Sequence, residues 1–316
     1  MPESERTAQL LRTLAASGSF TAAAKRLGVS QPTLSQSVRR LEADWGVELV
    51  ERGSRPLRLT EAGTLIAETE RRISELRSDC RRAVADLAQG VRGRVSIGVS
   101  EYREAFFLTE VLPIFRARYP DVELYLEEGT TRELERFVLE GRTDVSIGIL
   151  PLAAEGGRLD VVPLYEERLL LVMSAALAAD MGLVGESADF RRFDAKPFII
   201  VKTGQRLHEL FERLCQETSS RPKVVLESES LASALALCEA GLGATIVTDS
   251  LYAAAECERP GRLRAFEIKP DVPPRTAAAI LRKDRYAPKA AKALVAVMKE
   301  AAERLRAARR EPDQSK

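Results

Sequence analysis

The sequence predicts an α/β protein in several parts: a small helical head with a wing, one long connecting helix, and a two-lobed α/β region. Three observations carry this. Helical patterns fill the first 45 residues and a basic strand, turn, strand pattern follows; four-three spacing runs through residues 62–87, interrupted by polar Thr69; and from Arg94 onward β and α patterns alternate in two series. The length, 316 residues, is enough for two or three compact domains.

Residues 7–17 carry Leu10, Leu11 and Leu14 at helical spacing, and Gly18 ends the run. Next, Ser19 or Thr21 caps a second helix, Gly28 marks a tight turn, and Ser30 caps a third helix. Pro32 falls in the first turn of that helix, where its missing N–H costs nothing. Ala23, Leu27, Val29, Leu34, Val38 and Leu41 are expected to share one core. The opposite face of the third helix keeps Gln31, Thr33, Ser35, Gln36 and Arg39, short hydrogen-bonding side chains plus an arginine. On an isolated helix a solvated polar face accounts for them, yet a helix reading base edges in a major groove needs the same inventory near its N-terminus. The neighbouring pattern favours the second reading, because Arg52, Arg55 and Arg58 cluster where Gly53 and Pro56 shape a turn. Such a wing meets phosphates or a minor groove.

The run from Gly18 to Glu42, with ERGSRPLRLTEAG from Glu51 to Gly63, resembles the DNA-binding domain of LysR-type transcriptional regulators. The resemblance implies that Gln31, Pro32, Ser35 and Gln36 approach bases and that Arg55 enters the minor groove. Gln36 stands where many members carry arginine. Glutamine bonds adenine in bidentate fashion where arginine favours guanine, so a shifted half-site preference is expected.

Thr60 caps the connecting helix. Its buried-type positions, Ala62, Ile66, Thr69, Ile73, Leu76, Cys80, Ala83 and Leu87, step by four and three residues, the seam of a two-stranded coiled coil about 42 Å long. Mixed charges occupy the other faces, so a homodimer through Ile66 to Leu87 is expected; a long helix lying on its own domain is the alternative. Two-fold pairing presents two recognition helices to major grooves roughly 34 Å apart, or a multiple of that, which predicts an imperfect palindromic promoter site as the DNA partner. Gly90 and Gly93 end the helix and make a hinge.

The first α/β series reads strand 94–100, helix 106–120, strand 122–129, helix 132–141 and strand 144–150. The second reads strand 197–202, helix 207–218, strand 223–228, helix 230–243 and strand 244–249, and two such units imply a cleft. A strand at 275–283 and an alanine-rich helix after Pro288 return to the first unit. The whole is similar to the effector domain of LysR-type regulators, which shares its architecture with periplasmic solute-binding proteins; the resemblance implies a ligand-responsive regulator and a homotetramer through these domains. The expected division is a winged helix-turn-helix at 1–60, a linker dimerisation helix and hinge at 61–92, lobe I at 93–165 with 268–305, lobe II at 166–267, and a polar tail at 306–316.

In open α/β sheets ligands sit beyond the carboxyl ends of the strands. Here those positions include Ser100, Glu101, Thr130, Thr131, Leu150, Lys202, Thr203, Gly204 and Thr248. Helix capping alone accounts for several of the hydroxyls; the family resemblance singles out Ser100, Thr130 and Thr203 as effector contacts. Lys202 and Arg206 favour an anionic effector while Glu101 opposes one, and a small carboxylate is the class favoured.

Other functions find less support. There is no G-x-S-x-G elbow, Walker motif or dinucleotide fingerprint, and His208, the one histidine, has no obvious partner, so neither an enzyme nor a cofactor or metal centre is expected. Gly241 and Gly243 read as a helix end rather than a phosphate loop. Cys80, Cys215, Cys238 and Cys257 are scattered; a redox-sensing member of the same family is the alternative, and it needs a cysteine pair near the cleft. The start, MPESERTAQL, lacks a basic leader and an apolar core, and the apolar run from Leu169 to Ala179 falls short of the roughly 20 residues that span a bilayer. A cytoplasmic location is therefore expected, and a transport-type solute-binding protein is disfavoured. The near-neutral total, 48 basic against 47 acidic residues, is a sum over unlike parts: residues 1–60 carry nine basic and six acidic side chains, net +3, and the remainder net -2. A modestly basic head on a slightly acidic body makes recognition lean on placed contacts more than on bulk charge.

Overall fold

The computed structural model describes residues 3–153, 157–203 and 205–310, which fall into two compact units, the first ending at Ala85 and the second beginning at Asp86. In the first unit α1 (Glu3–Ser17), α2 (Phe20–Leu27) and α3 (Gln31–Trp45) precede a hairpin of β1 (Val50–Glu51) and β2 (Arg58–Leu59). The caps are those the sequence announces. Ser19 Oγ accepts from Ala22 N–H and Ser30 Oγ from Thr33 N–H, each at 3.2 Å, and Gly28 closes α2 at φ +66, in the left-handed region that a side chain disfavours. Leu11, Leu14, Ala23, Leu34, Val38 and Leu49 form a closed core.

One core expectation fails. Val29 is exposed, and the buried Ala24 packs in its place. The cause is the turn: Val29 N–H bonds back to Ala24 O at 3.1 Å, which closes the helix end and leaves the valine side chain outside.

The long helix α4 (Glu61–Gln89) has 29 residues, about 43 Å of length. Thr60 Oγ1 caps it, accepting from Gly63 N–H at 3.0 Å. Gly63 is required there, because a Cβ would collide with the carbonyl oxygen of Leu49.

In the second unit a five-stranded sheet of order β4-β3-β5-β13-β6 joins β3 (Gly93–Val99), β4 (Val122–Glu128), β5 (Val145–Ile149), β6 (Leu159–Glu167) and β13 (Arg275–Arg282). β3, β4 and β5 are parallel, whereas the returning β13 runs antiparallel to both neighbours. The helices 101–118, Thr131–Glu140 and Lys289–Arg310 cover this sheet, with Phe107, Phe115, Ile147, Leu294 and Met298 in its core.

The other sheets hold β7 (Leu169–Ser174), β8 (Ser187–Asp189), β11 (Thr245–Thr248) and β12 (Leu263–Lys269) in the order β11-β7-β12-β8, and a parallel pair of β9 (Pro197–Val201) and β10 (Lys223–Ser228). A bridge from Phe198 to Ala244 ties the pair to the start of β11. Their core is separate: Phe190, Phe193, Phe198 and Phe211 stack and tilt with centroids 5.0–6.2 Å apart. Two cores and two sheet systems make two lobes. The chain passes between them twice, after Glu167 at the end of β6 and before Arg275 at the start of β13, and these two residues are register partners. Sequence periodicity assigns no element between Leu150 and Pro197, where β6, β7 and β8 lie; the apolar run at Leu169 is the central strand β7 followed by the short helix Ala175–Asp180. Among the described residues no helix is long and apolar enough to cross a membrane.

Candidate functional site

On α3, Gln31, Pro32, Thr33, Gln36 and Arg39 are exposed and Ser35 is half-buried, while Leu34 and Val38 on the opposite side are in the core. This is the division that sequence spacing predicts. Thr33 is partly engaged, since its hydroxyl shares a 2.7 Å hydrogen bond with Ser30. Among the wing arginines, Arg55 and Arg58 are exposed, but Arg52 pairs with Glu42 at 2.5 Å. Glu42 also accepts from Leu49 N–H at 3.0 Å, so the pair ties α3 to the strand that opens the wing. Arg52 is thus already bonded within the head.

On α4, Thr69, Leu76, Cys80 and Leu87 are exposed, and Ile73 and Ala83 are half-buried; Leu76 is 64% and Leu87 81% exposed, which is costly for isolated leucines on a solvated helix. Ile66 differs. It is buried in the core of the head, because the first turns of α4 pack there, and Leu65 is the exposed apolar residue at that level.

Between the two lobes lies a cavity of about 410 Å³, a size suited to a small molecule. Ser100, Glu101, Thr130, Thr131, Lys202 and Thr203 line it, as the sequence predicts. Leu150 and Thr248 do not line it. Ile149 takes the place of Leu150, and Thr248 is fully buried, its hydroxyl accepting from Leu251 N–H at 3.3 Å as the cap of the next helix. Gly204 lies outside the described residues. Thr130 is engaged in a capping box: its N–H donates to Glu133 at 3.0 Å, and its hydroxyl donates to the same carboxylate at 2.9 Å. Those bonds hold the Glu133 carboxyl below its ordinary pKa, led by the backbone bond from Thr130. His208 has partners after all. Its Nδ1 faces the Val201 carbonyl at 2.8 Å and, because a carbonyl only accepts, donates to it; Nε2 faces Thr203 Oγ1 at 3.5 Å.

The cations marked in the sequence as anion-binding are matched by neighbours. Lys202 pairs with Glu229 at 2.5 Å, and this hydrogen bond raises the lysine pKa. Arg206 donates to the Pro151 carbonyl across the cleft and faces Glu209 at 4.0 Å. Two further bonds join the lobes: Arg132 to Glu209 at 2.7 Å, and the Ser230 hydroxyl to Glu101 at 3.2 Å.

Sequence reasoning missed the buried floor of this cavity. Arg103 and Arg275 both line it and both bond Glu167, Arg103 at 2.8 Å. The Glu167 side chain is 0% exposed, Arg103 7% and Arg275 15%. Burial opposes ionisation of Glu167, but the two guanidiniums outweigh it and hold the carboxyl below its ordinary value. Arg103 Nη1 also donates to Ser100 Oγ at 3.1 Å. The only signal in the sequence was an arginine placed three residues after Ser100, at the start of an otherwise apolar helix.

All four cysteines are free thiols; Cys80 and Cys257 are exposed, and Cys215 is half-buried. Cys238 is buried, its thiol donates to the Val172 carbonyl at 3.3 Å, and burial pushes it up to about 12.

A three-helix head with a basic wing, joined by one long helix to a two-lobed unit with a cleft, is the plan of a ligand-responsive transcription regulator. Residues 6–64 match the bacterial regulatory helix-turn-helix proteins of the lysR family, and residues 88–303 match the LysR substrate binding domain. The chain belongs to the LysR family of transcriptional regulators. Among relatives, an uncharacterized HTH-type transcriptional regulator, YcgK, of Bacillus subtilis is 29% identical over 297 residues, 89% of this chain and 90% of that protein. A probable RuBisCO transcriptional regulator of Porphyra purpurea is 30% identical over 78% of each chain. Among solved structures, full-length CbnR in complex with its target DNA superposes with a TM-score of 0.58 at 25% identity, covering 95% of this chain and 98% of that one.

Proposed function

We propose that this regulator binds an imperfect palindromic promoter site through Gln31, Pro32, Thr33, Ser35, Gln36 and Arg39 of α3, with Arg55 and Arg58 on the flanking backbone or minor groove. The observation that carries this is the exposed polar start of α3 beside a basic wing, on a helix whose opposite side packs Leu34 and Val38 into the core. The CbnR structure with target DNA supports it by likeness of fold. Two chains pair along the open face of α4, through Leu65, Thr69, Ile73, Leu76, Cys80, Ala83 and Leu87, and the effector domains join dimers into a tetramer. The protein works in the cytoplasm, where promoter DNA is found. Its effector is a small molecule, a small carboxylate being the favoured class, held between lobes at Ser100, Glu101, Thr130, Thr131, Lys202 and Thr203.

The test is footprinting of the intact protein on its own flanking promoter at several salt concentrations. Protection of two half-sites one helical turn or a multiple apart, weakening linearly in log salt, is expected. No specific protection even at low salt overturns the reading.

A further inference from the structure

We propose that the buried triad of Arg103, Glu167 and Arg275 is the anion-reading element of this regulator, and that the effector presents a single carboxylate to it. The inference rests on the interlobe cleft being the effector site.

Two guanidiniums against one carboxylate leave an unbalanced positive charge, and all three side chains are largely or wholly buried. An uncompensated charge in such surroundings is costly, and the complementary species is an anion. Hydrogen bonding within the triad is also incomplete: Arg103 Nε, Arg275 Nε and Glu167 Oε2 have no hydrogen-bond partner. Both arginines line the cavity, so an incoming anion reaches them without a change of fold, and the Ser100 hydroxyl, bonded to Arg103, stands at the same end.

Lys202 and Arg206 are poor rivals for this role, because Glu229 pairs with Lys202 and the Arg206 guanidinium is already bonded to the Pro151 carbonyl. Glu101 and Glu128 on the cavity lining oppose a second negative charge. One surplus positive charge in the floor and carboxylates on the walls select a monoanionic carboxylate over a dianionic phosphate monoester. The position also has a consequence. Glu167 ends β6 and Arg275 begins β13, the two strands at which the chain passes between lobes, so the anion would bind at the pivot of lobe closure.

The experiment is thermal melting of the full-length protein with phenylacetate, its neutral analogue phenylacetamide, its cationic analogue phenethylammonium, and phenyl phosphate, at matched ionic strength. Phenylacetate is expected to raise Tm and the other three to leave it unmoved. Arg275→Gln leaves a balanced Arg103–Glu167 pair and is expected to weaken the phenylacetate effect roughly 10- to 100-fold in concentration. Glu167→Gln adds to the surplus charge and is expected to enlarge the effect, a sign that a purely structural triad does not give; if neither variant folds, the order of response of the wild-type protein to the four probes carries the test. An equal response in Arg275→Gln and wild type, or no response to phenylacetate at millimolar concentration, overturns the inference. Thr131→Trp, which fills the cavity, separates the two levels. Stabilisation by phenylacetamide or phenethylammonium alone that Thr131→Trp abolishes keeps the cleft as the site and removes the anion; a phenylacetate response that survives Thr131→Trp removes the cleft itself.

Discussion

The carboxylate of Asp86 accepts a 2.7 Å hydrogen bond from the hydroxyl of Tyr286, 200 residues further along the chain. The same oxygen accepts from the backbone N–H of Lys289 at 2.7 Å, and the Lys289 ammonium donates to the Asp86 carbonyl at 2.7 Å. A buried aspartate near the end of α4 therefore satisfies the first turn of the final helix, which packs against the five-stranded sheet.

Asp86→Ala is expected to destabilise the effector unit by about 1–2 kcal/mol, the usual loss for a helix cap, and Tyr286→Phe by about 1 kcal/mol. Urea unfolding followed by circular dichroism measures both. Tryptophan fluorescence serves as an internal control, since the single tryptophan, Trp45, lies in the DNA-reading head and its transition should not move.

The Glu167 carboxyl has a folded-state pKa below its ordinary 4.5, the guanidiniums outweighing burial. A depressed carboxyl stabilises the fold at pH above the unfolded value and loses that contribution as pH falls through the folded value. Stability is expected to decline on acidification below about pH 4.5, and Glu167→Gln to flatten that limb while costing about 3–5 kcal/mol at neutral pH, because two buried guanidiniums lose their counter-charge. Melting temperatures across pH 3–7 for both proteins check this.

Gln36→Arg is expected to move the preferred base at its contact from adenine to guanine, with about 1–3 kcal/mol of discrimination, whereas Arg55→Ala should weaken all sites alike and lower the salt slope by about 1. Binding to a half-site panel at three salt concentrations distinguishes them; an unchanged base preference in Gln36→Arg removes the direct contact.

Leu76→Asp places a charge in the proposed α4 seam and is expected to shift the protein to monomers in sedimentation at micromolar concentration. Cys80 should then alkylate faster than in wild type, where the proposed pairing covers it with the partner helix. Cys257 gives the exposed reference rate, and Cys238, buried with its thiol at about 12, should remain unlabelled in both.

The head was legible because its determinants are local. Ser19, Gly28, Ser30 and Pro32 act through caps and a turn within four residues, and the polar side of α3 follows from the spacing of Leu34 and Val38. Local pattern also set the heptad-like run of α4 and both βα series. It misplaced Val29 and Ile66, whose burial depends on how a helix end closes and on what the next helix packs against.

The sequence by itself determined the helical head, the long helix and both βα series, since capping chemistry and hydrophobic period act over a few residues, and its motifs carried the resemblance to the family. Only the tertiary structure decided which charges are neutralised. It gave Lys202, Arg52 and Arg206 partners, and it gathered Arg103, Glu167 and Arg275 from three distant segments into one buried floor. The physical reason is that an ion pair is fixed by distance and burial in space, and neither is encoded in the spacing of residues along the chain.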